Sequence, residues 1–244
     1  GRHHRRTNRR GQRLSCLYLQ GIECPPDRTA HTMLTTTELQ DIAAEMHAAR
    51  IEVRQVQPYS ERLAGFDLPA AYAVAELVHA ARLREGAVPV GRKIGFTNSA
   101  MWAIYGVREP IWSYVYDRSV RQVAAHGAMV DIGAFAEPKI EPEIVLHFGA
   151  APGGDIEGIA AAIDWVAAGF EIVQSHFPDW KFRAPDTVAD WALHGTLPVG
   201  PPQPLDRLGN DVVAALESFT LVLSCGDRHV ETARGANVLG SPLS

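Results

Sequence analysis

The segment around Glu141 and Glu143 has the residue types and spacing of a metal site. Residues 139–148 read KIEPEIVLHF, and side chains alternate along a strand, so both carboxylates would share one face. Carboxylates held this close raise each other's proton affinity unless a cation lies between them, and an all-oxygen pair suits a hard ion such as Mg²⁺ or Mn²⁺. The same pattern also occurs on an exposed polar edge strand, which Pro142 permits.

Glu171 supplies a third carboxylate that strengthens the metal hypothesis. It lies in the apolar run AAGFEIVQSHF, where an unpaired, ionised Glu would cost several kcal/mol or stay protonated. Together with Glu141 and Glu143 it would provide three oxygen ligands and leave positions for water and a bidentate substrate. The alternative is a buried ion pair between Glu171 and an Arg or Lys.

Lys93 is the candidate cation of the site. It stands in GRKIGFT between Gly91 and Gly95, which permit close backbone approach to a ligand. A half-buried Lys there would hold a carboxylate or act as an acid or base, whereas a solvated surface Lys is the alternative. His194 follows a loop signal and has no partner that can be identified from sequence. Weaker candidates for proton transfer or supporting contacts are Asp117, Gln174, Ser175, His176 and Asp190.

Two helices are predicted before the first of these residues. Thr35 and Glu38 have the spacing of a capping box, and a helical stripe follows at Leu39, Ile42, Met46 and Ala49. A second helix begins at Pro69 after Asp67 and ends at Gly86. We expect residues 33–89 to form an N-terminal helical layer.

Short β-like runs broken by Gly and Pro begin at Val90. Helical stretches at 99–105, 156–168 and 212–218 interrupt them without a strict βαβ alternation. The pattern therefore predicts an α+β fold with a mixed sheet over residues 90–244. Signatures of dinucleotide-binding, P-loop, zinc-protease and serine-hydrolase sites are absent from the sequence.

Composition limits the class of protein and of partner. The chain has 244 residues, 46% of them hydrophobic, and three cysteines; this is typical of a soluble globular protein in a reducing cytoplasm, with no apolar run near the roughly 18 residues of a membrane span. From Met33 onward there are 16 basic and 26 acidic residues, a net charge near −10. An acidic body argues against a nucleic-acid or membrane partner and favours small molecules or metal ions.

Residues 1–32 need a separate interpretation. They carry seven of the chain's Arg residues, show no hydrophobic period and precede Met33, which resembles a natural start. We expect a disordered basic extension, translated or added upstream of that start. A mitochondrial presequence and a basic nucleic-acid arm are the alternatives.

Five segments in order carry a resemblance to a known family: GRKIGFTN, YGVREPIWSYVYD, PKIEPEIVLHFG, AIDWVAAGFEIVQSHFPDWKF and DTVADWALHG. As a set they resemble the hydratase/decarboxylase branch of the fumarylacetoacetate hydrolase superfamily. The resemblance implies a β-roll core beneath the helical layer, usually in a homo-oligomer. Family sequences continue past the final VLGSPL by a helix and several strands, so we expect a chain truncated at its C-terminus.

The resemblance also implies a function and roles for residues. It implies a cytoplasmic, Mg²⁺- or Mn²⁺-dependent hydratase of 2-hydroxy-2,4-dienoic acids (2-keto-4-pentenoate type) in the catabolism of aromatic compounds. The implied metal ligands are Glu141, Glu143 and Glu171. The implied catalytic residues are Lys93, as a base or substrate clamp, and Asp117, and the expected substrate contacts are Ser175, Lys181 and Asp190.

Departures from the family pattern leave the substrate open. Family members often have VADNAS where this chain has VADWAL, which places Trp191 and Leu193 at positions of small polar residues, and Gln174 replaces a common Asp. A 4-oxalocrotonate-type decarboxylase and a carbon–carbon hydrolase on the same scaffold are alternatives. A non-catalytic subunit that binds an active relative is a third.

Overall fold

The secondary structure follows the predicted order of helices and then mixed strands. A computed structural model describes residues 33–124 and 127–244. The helices are α1 Thr36–Glu52, α2 Tyr59–Arg62, α3 Leu68–Arg84, α4 Trp102–Tyr105, α5 Ile156–Ala161, α6 Ala184–Ala189 and α7 Val212–Ser218. The strands are β1 Pro89–Gly95, β2 Ile111–Tyr116, β3 Val120–Gln122, β4 Lys139–Phe148, β5 Ile163–Val173, β6 His194–Val199, β7 Gln203–Pro204, β8 Thr220–Cys225 and β9 Arg228–Arg234.

Side-chain caps define where the two long helices begin. The Thr35 hydroxyl accepts a hydrogen bond from the Glu38 amide at 3.3 Å, and the Glu38 carboxylate accepts one from the Thr35 amide at 2.7 Å. Asp67 caps α3 by accepting from the Ala70 amide at 3.0 Å. Each cap satisfies amides that the helix leaves unpaired, which contributes about 1 kcal/mol. Both helices begin as the sequence predicts.

Three sheets carry the strands. Strands β1 and β2 form an antiparallel pair, β8 and β9 form another, and the central sheet has the order β3-β6-β5-β4 with β7 beside β5. Only β3 and β6 pair in parallel in the central sheet. The predicted mixed sheet is therefore present.

The helices share a core with residues that follow them. One buried cluster includes Met46 of α1, Val74 of α3, Phe177 and Val188. A second lies beneath the central sheet, where Val166 packs with residues of α7 and the C-terminal segment. The division at residue 89 stays a prediction.

The predictions for residues 1–32 concern a segment that lies outside the described residues. Within the described ranges, no helix has both the length and the apolar character needed to cross a membrane.

Candidate metal centre and adjoining cavity

Strand register brings the three carboxylates together. In the antiparallel pair of β4 and β5, Glu141 lies directly opposite Glu171, and Glu143 lies opposite Gly169. Glu143 is two residues beyond Glu141, so it projects from the same face of the sheet. One carboxylate oxygen from each of the three residues lies within 4.8 Å of the others. This distance allows the oxygens to share one cation.

Lys93 of β1 approaches the cluster from a different sheet. Its Nζ lies 2.9 Å from Oε2 of Glu171, and its side chain is only 11% exposed. Burial lowers the pKa of Lys93, but the carboxylates of Glu171, Glu141 and Glu143 outweigh burial and the pKa is raised. The ammonium is therefore charged at neutral pH. Glu171 thus forms an ion pair with Lys93 and also belongs to the three-carboxylate cluster, so the two interpretations of this residue are compatible.

His194, the first residue of β6, holds the second oxygen of Glu171. Its Nδ1 lies 2.6 Å from Oε1 of Glu171, and its Nε2 lies 2.8 Å from the Ser119 hydroxyl. Burial would raise the pKa of Glu171, but Lys93 and His194 outweigh it and the pKa is lowered. Burial also lowers the pKa of His194. Glu171 is consequently an ionised carboxylate with both oxygens engaged.

Glu141 and Glu143 are in a different electrostatic position. Among the described residues, no cationic side chain forms a salt bridge with either of them. Burial, and then the charge of Glu171, raises the pKa of Glu143 to about 8, and burial likewise raises the pKa of Glu141. Three carboxylates thus face one ammonium. The cluster has an excess of negative charge that a divalent cation would neutralise.

A cavity of about 310 Å³ opens beside these carboxylates. Lys93, Glu141 and Glu143 form its polar side, and Leu193, Phe219 and Leu221 belong to its apolar side. Its volume is at the lower end of the range for small-molecule sites. A small organic acid with a short hydrocarbon part has complementary chemistry.

Comparison with known proteins identifies the family. No family model matches the chain. A 2-keto-4-pentenoate hydratase of Dechloromonas aromatica is 32% identical over 205 residues, which cover 83% of this chain and 75% of that relative. The chain belongs to the 2-keto-4-pentenoate hydratase family. A 4-oxalocrotonate decarboxylase of a Pseudomonas species, 33% identical over 70% of this chain and 63% of its own length, shows that the family includes decarboxylases.

A solved structure supports the same family and fold. The chain resembles the 4-oxalocrotonate decarboxylase of Pseudomonas putida G7, complexed with magnesium and adipate, with a TM-score of 0.78 and 28% identity over 87% of this chain and 79% of that one. The predicted family, the α+β fold and the expectation of a hydratase-type enzyme are confirmed by these similarities.

Two residues expected from the family resemblance lie away from the cluster. Asp117 stands just beyond β2, and its carboxylate accepts a hydrogen bond from the Val88 amide at 3.0 Å. Lys93 of β1 lies opposite Ser113 of β2, and Asp117 is four residues beyond Ser113 along the chain. Lys181 is 76% exposed and pairs with Asp179. Neither is among the residues that line the cavity, and their expected roles stay predictions.

Ser175 and Asp190 are buried and committed to local structure. The Ser175 hydroxyl donates to the Phe177 carbonyl at 2.7 Å. Asp190 accepts from the His176 amide at 3.1 Å and lies 2.7 Å from Nδ1 of the same residue. Neither side chain lines the cavity. Their polar atoms hold the turn after β5, and their expected contact with substrate stays a prediction.

The unusual VADWAL segment has an unusual backbone. Trp191, Ala192 and Leu193 have φ values of 51°, 50° and 64°, in the left-handed region, and all three are buried. Left-handed geometry costs an L-residue roughly 1–2 kcal/mol, so tertiary packing must hold this turn. Ala192 and Leu193 line the cavity. The Trp191 ring lies 4.8 Å from the guanidinium carbon of Arg50.

Sequence reasoning assigns His194 to a loop without a partner, whereas the structure places it at the start of β6 in contact with Glu171. Its Glu171 partner is 23 residues away and its Ser119 partner 75 residues away. The available signal was the requirement that buried Glu171 have a partner. That requirement did not identify which residue would meet it.

Proposed function

We propose that this chain is a divalent-metal-dependent hydratase that adds water to 2-hydroxy-2,4-dienoic acids of the 2-keto-4-pentenoate type. The observation that carries the proposal is the convergence of Glu141, Glu143 and Glu171 beside Lys93 and a cavity. Relatives named as 2-keto-4-pentenoate hydratases and a 2-hydroxypent-2,4-dienoate hydratase support this reaction class.

The donor set fits a hard divalent cation. Three carboxylate oxygens are ligands of the type that Mg²⁺ and Mn²⁺ prefer, and the raised pKa of Glu143 marks uncompensated negative charge. The related decarboxylase structures are complexed with magnesium or calcium. We propose Mg²⁺ or Mn²⁺, held by Glu141, Glu143 and Glu171. When bound, such an ion would act as a Lewis acid toward the carboxylate and the C2 oxygen of the substrate.

The surrounding residues would orient the acid and its charges. Lys93 carries a buried positive charge and is suited to clamp an anionic substrate oxygen; its raised pKa favours the clamp over the base among its expected roles. His194 holds Glu171 in position through Nδ1. The apolar side of the cavity, including Leu193 and Phe219, would accommodate the hydrocarbon part of the substrate.

The proposed reaction has two steps, a protonation and a hydration. Protonation of the dienol at carbon gives an unsaturated 2-oxo acid, and addition of water to its double bond then gives a 4-hydroxy-2-oxo acid. Stabilisation of the intervening enolate by a positioned positive charge is typically worth roughly 3–4 kcal/mol. Lys93 is the positive charge that this chain itself supplies.

A decarboxylase is the second candidate. Its support is the likeness to 4-oxalocrotonate decarboxylases in sequence and structure. On this alternative a bound oxalocrotonate-type 2-oxo diacid would lose its distal carboxylate as CO₂, and the electron pair of the broken bond would pass through the conjugated double bond to the C2 oxygen and form the dienolate. The carboxylate cluster and Lys93 serve both reactions equally.

Product analysis separates the two candidates. The purified chain with Mg²⁺ would be incubated with 2-hydroxypenta-2,4-dienoate and, separately, with an oxalocrotonate-type acid, and followed by NMR. A 4-hydroxy-2-oxo acid from the first supports the hydratase, and CO₂ from the second supports the decarboxylase. Absence of turnover on both, with Mg²⁺ binding intact, would favour the non-catalytic subunit. A homo-oligomer in the cytoplasm completes the proposal, and sedimentation velocity tests its assembly.

A further inference from the structure

A second cavity, of about 360 Å³, lies on the other side of His194 from the carboxylate cluster. Four arginines line it: Arg50, Arg82, Arg118 and Arg121. Asp131 is the one acidic residue among its described lining residues, and its carboxylate accepts from the Gly133 amide at 2.9 Å. So high a density of guanidinium groups is unusual in a chain whose described part is acidic overall.

Two residues that line this cavity, Arg82 and Trp191, also carry buried donors without acceptors. Nε of Arg82 and Nε1 of Trp191 are both buried, and neither has a hydrogen-bond partner among the described residues. Leaving a buried donor unsatisfied costs about 1–3 kcal/mol. The protein contacts around the cavity therefore leave hydrogen-bonding capacity of its lining residues unused.

The nearby protein acceptors are already engaged. Arg50 donates to the His194 carbonyl at 2.7 Å and to the Gly195 carbonyl at 3.4 Å. Glu85 binds Nη1 of Arg82 at 3.2 Å, and its backbone carbonyl accepts from Arg118 at 3.1 Å. Burial, with a further contribution from neighbouring Arg82, lowers the pKa of Arg50 to about 10, although Asp190 opposes this. Arg50 therefore remains charged at neutral pH.

We propose that this cavity binds a small multivalent oxyanion, of the phosphate or dicarboxylate type, at a site separate from the metal centre. Guanidinium groups pair with both anions through paired N–H donors. The guanidinium groups of Arg50 and Arg82 supply the inner charge, and Arg118 and Arg121 supply charge at the exposed rim. The proposal does not depend on the reaction at the carboxylate cluster.

Calorimetric titration of the metal-free full-length chain tests the site. Inorganic phosphate and succinate would be titrated separately, with chloride as the reference anion, and omission of the divalent metal prevents anions from binding through it. We expect one of the two anions to bind at a single site, at least about tenfold more tightly than chloride. A phosphate preference identifies a phosphoryl ligand, and a succinate preference identifies a dicarboxylate.

Variants locate the binding. Arg50 holds two backbone carbonyls, so its replacement would disturb the fold; Arg118→Gln and Arg121→Gln at the rim are used instead. Each should weaken binding by about fivefold to twentyfold because one charge-assisted contact is lost. Arg207→Gln, an exposed arginine outside the cavity, is the matched control and should bind normally.

Three results would overturn the proposal. The first is binding of phosphate and succinate no tighter than that of chloride. The second is normal binding in both rim variants. The third is a cavity occupied by a second copy of the chain: Arg121→Glu would then dissociate an oligomer in sedimentation velocity, and phosphate or succinate binding would be unchanged.

Discussion

At the scale of single residues, the site is defined by unequal environments of three similar carboxylates. Glu171 has a cation and an imidazole within hydrogen-bond distance, whereas Glu143 is half-buried and has no such partner among the described residues. The pKa values of Glu171 and Glu143 consequently move in opposite directions. Of these carboxylates, Glu143 is the one whose ionisation costs the metal-free protein the most folding free energy.

Glu143→Gln should therefore stabilise the metal-free protein while weakening metal binding. A carboxyl whose folded-state pKa is raised from 4.5 to about 8 destabilises the fold as pH rises through that interval. The gain from the substitution should be absent below pH 4.5 and reach about 1–3 kcal/mol above pH 8. Urea unfolding at pH 4, 6 and 8.5 measures it. An equal effect at all three values would contradict the assigned cause.

Lys93→Ala should lower kcat by at least about 100-fold while the chain remains folded. The reason is the loss of a positive charge directed at the reacting acid, a type of interaction worth roughly 3–4 kcal/mol. Lys181→Ala is the matched control, because Lys181 is exposed and outside the cavity. Steady-state kinetics with circular dichroism checks both. Near-normal turnover of Lys93→Ala would remove Lys93 from the mechanism.

At the scale of elements, β4 and β5 together form the carboxylate cluster. An antiparallel register places Glu141 opposite Glu171, and a slip of one residue would turn one of them to the other face. The turn at 191–193 then leads from α6 into β6, where His194 begins the strand that supports Glu171. The left-handed turn is thus part of the scaffold of the site.

Ala192→Gly should raise the free energy of unfolding relative to Ala189→Gly by about 1–2 kcal/mol. Glycine adopts the left-handed conformation of residue 192 without steric cost, but it is unfavourable in the helix at residue 189. Both alanines are 2% exposed, so each change loses a similarly buried methyl group. Urea unfolding of the two variants gives the difference directly. Equal stabilities would show that residue 192 is not strained.

Sequence reasoning could predict some of these elements for identifiable reasons. Glu141 and Glu143 alternate along a strand, and Glu171 lies in an apolar run, so all three have a local signal. Asp117 and Lys181 were expected at the site through the family resemblance. Their actual positions depend on how far each lies along a ladder or loop, which no local pattern encodes.

The same limit applies to supporting contacts. His194 meets Glu171 only because β6 pairs with β5. The arginine-lined cavity combines residues from α1, α3 and the segments around β3 and β6. These contacts depend on tertiary packing, since the sequence separations are large.

At the scale of the whole molecule, metal binding should stabilise the fold. A ligand that binds only the native state at 100 times its Kd adds about 2.7 kcal/mol, which for a chain of this length raises Tm by roughly 5–10 °C. Differential scanning calorimetry with and without Mg²⁺ measures the shift. Glu143→Gln should respond much less than wild type, and an equal response would place the ion elsewhere.

The contact between Lys93 and Glu171 joins two sheets that share no backbone ladder, since β1 pairs only with β2 and β5 belongs to the central sheet. One buried ion pair thus connects two sheets that have no backbone hydrogen bonds to each other. Amide hydrogen exchange in β1 should therefore become faster when the ion pair between Lys93 and Glu171 is removed, even though β1 keeps its backbone hydrogen bonds to β2.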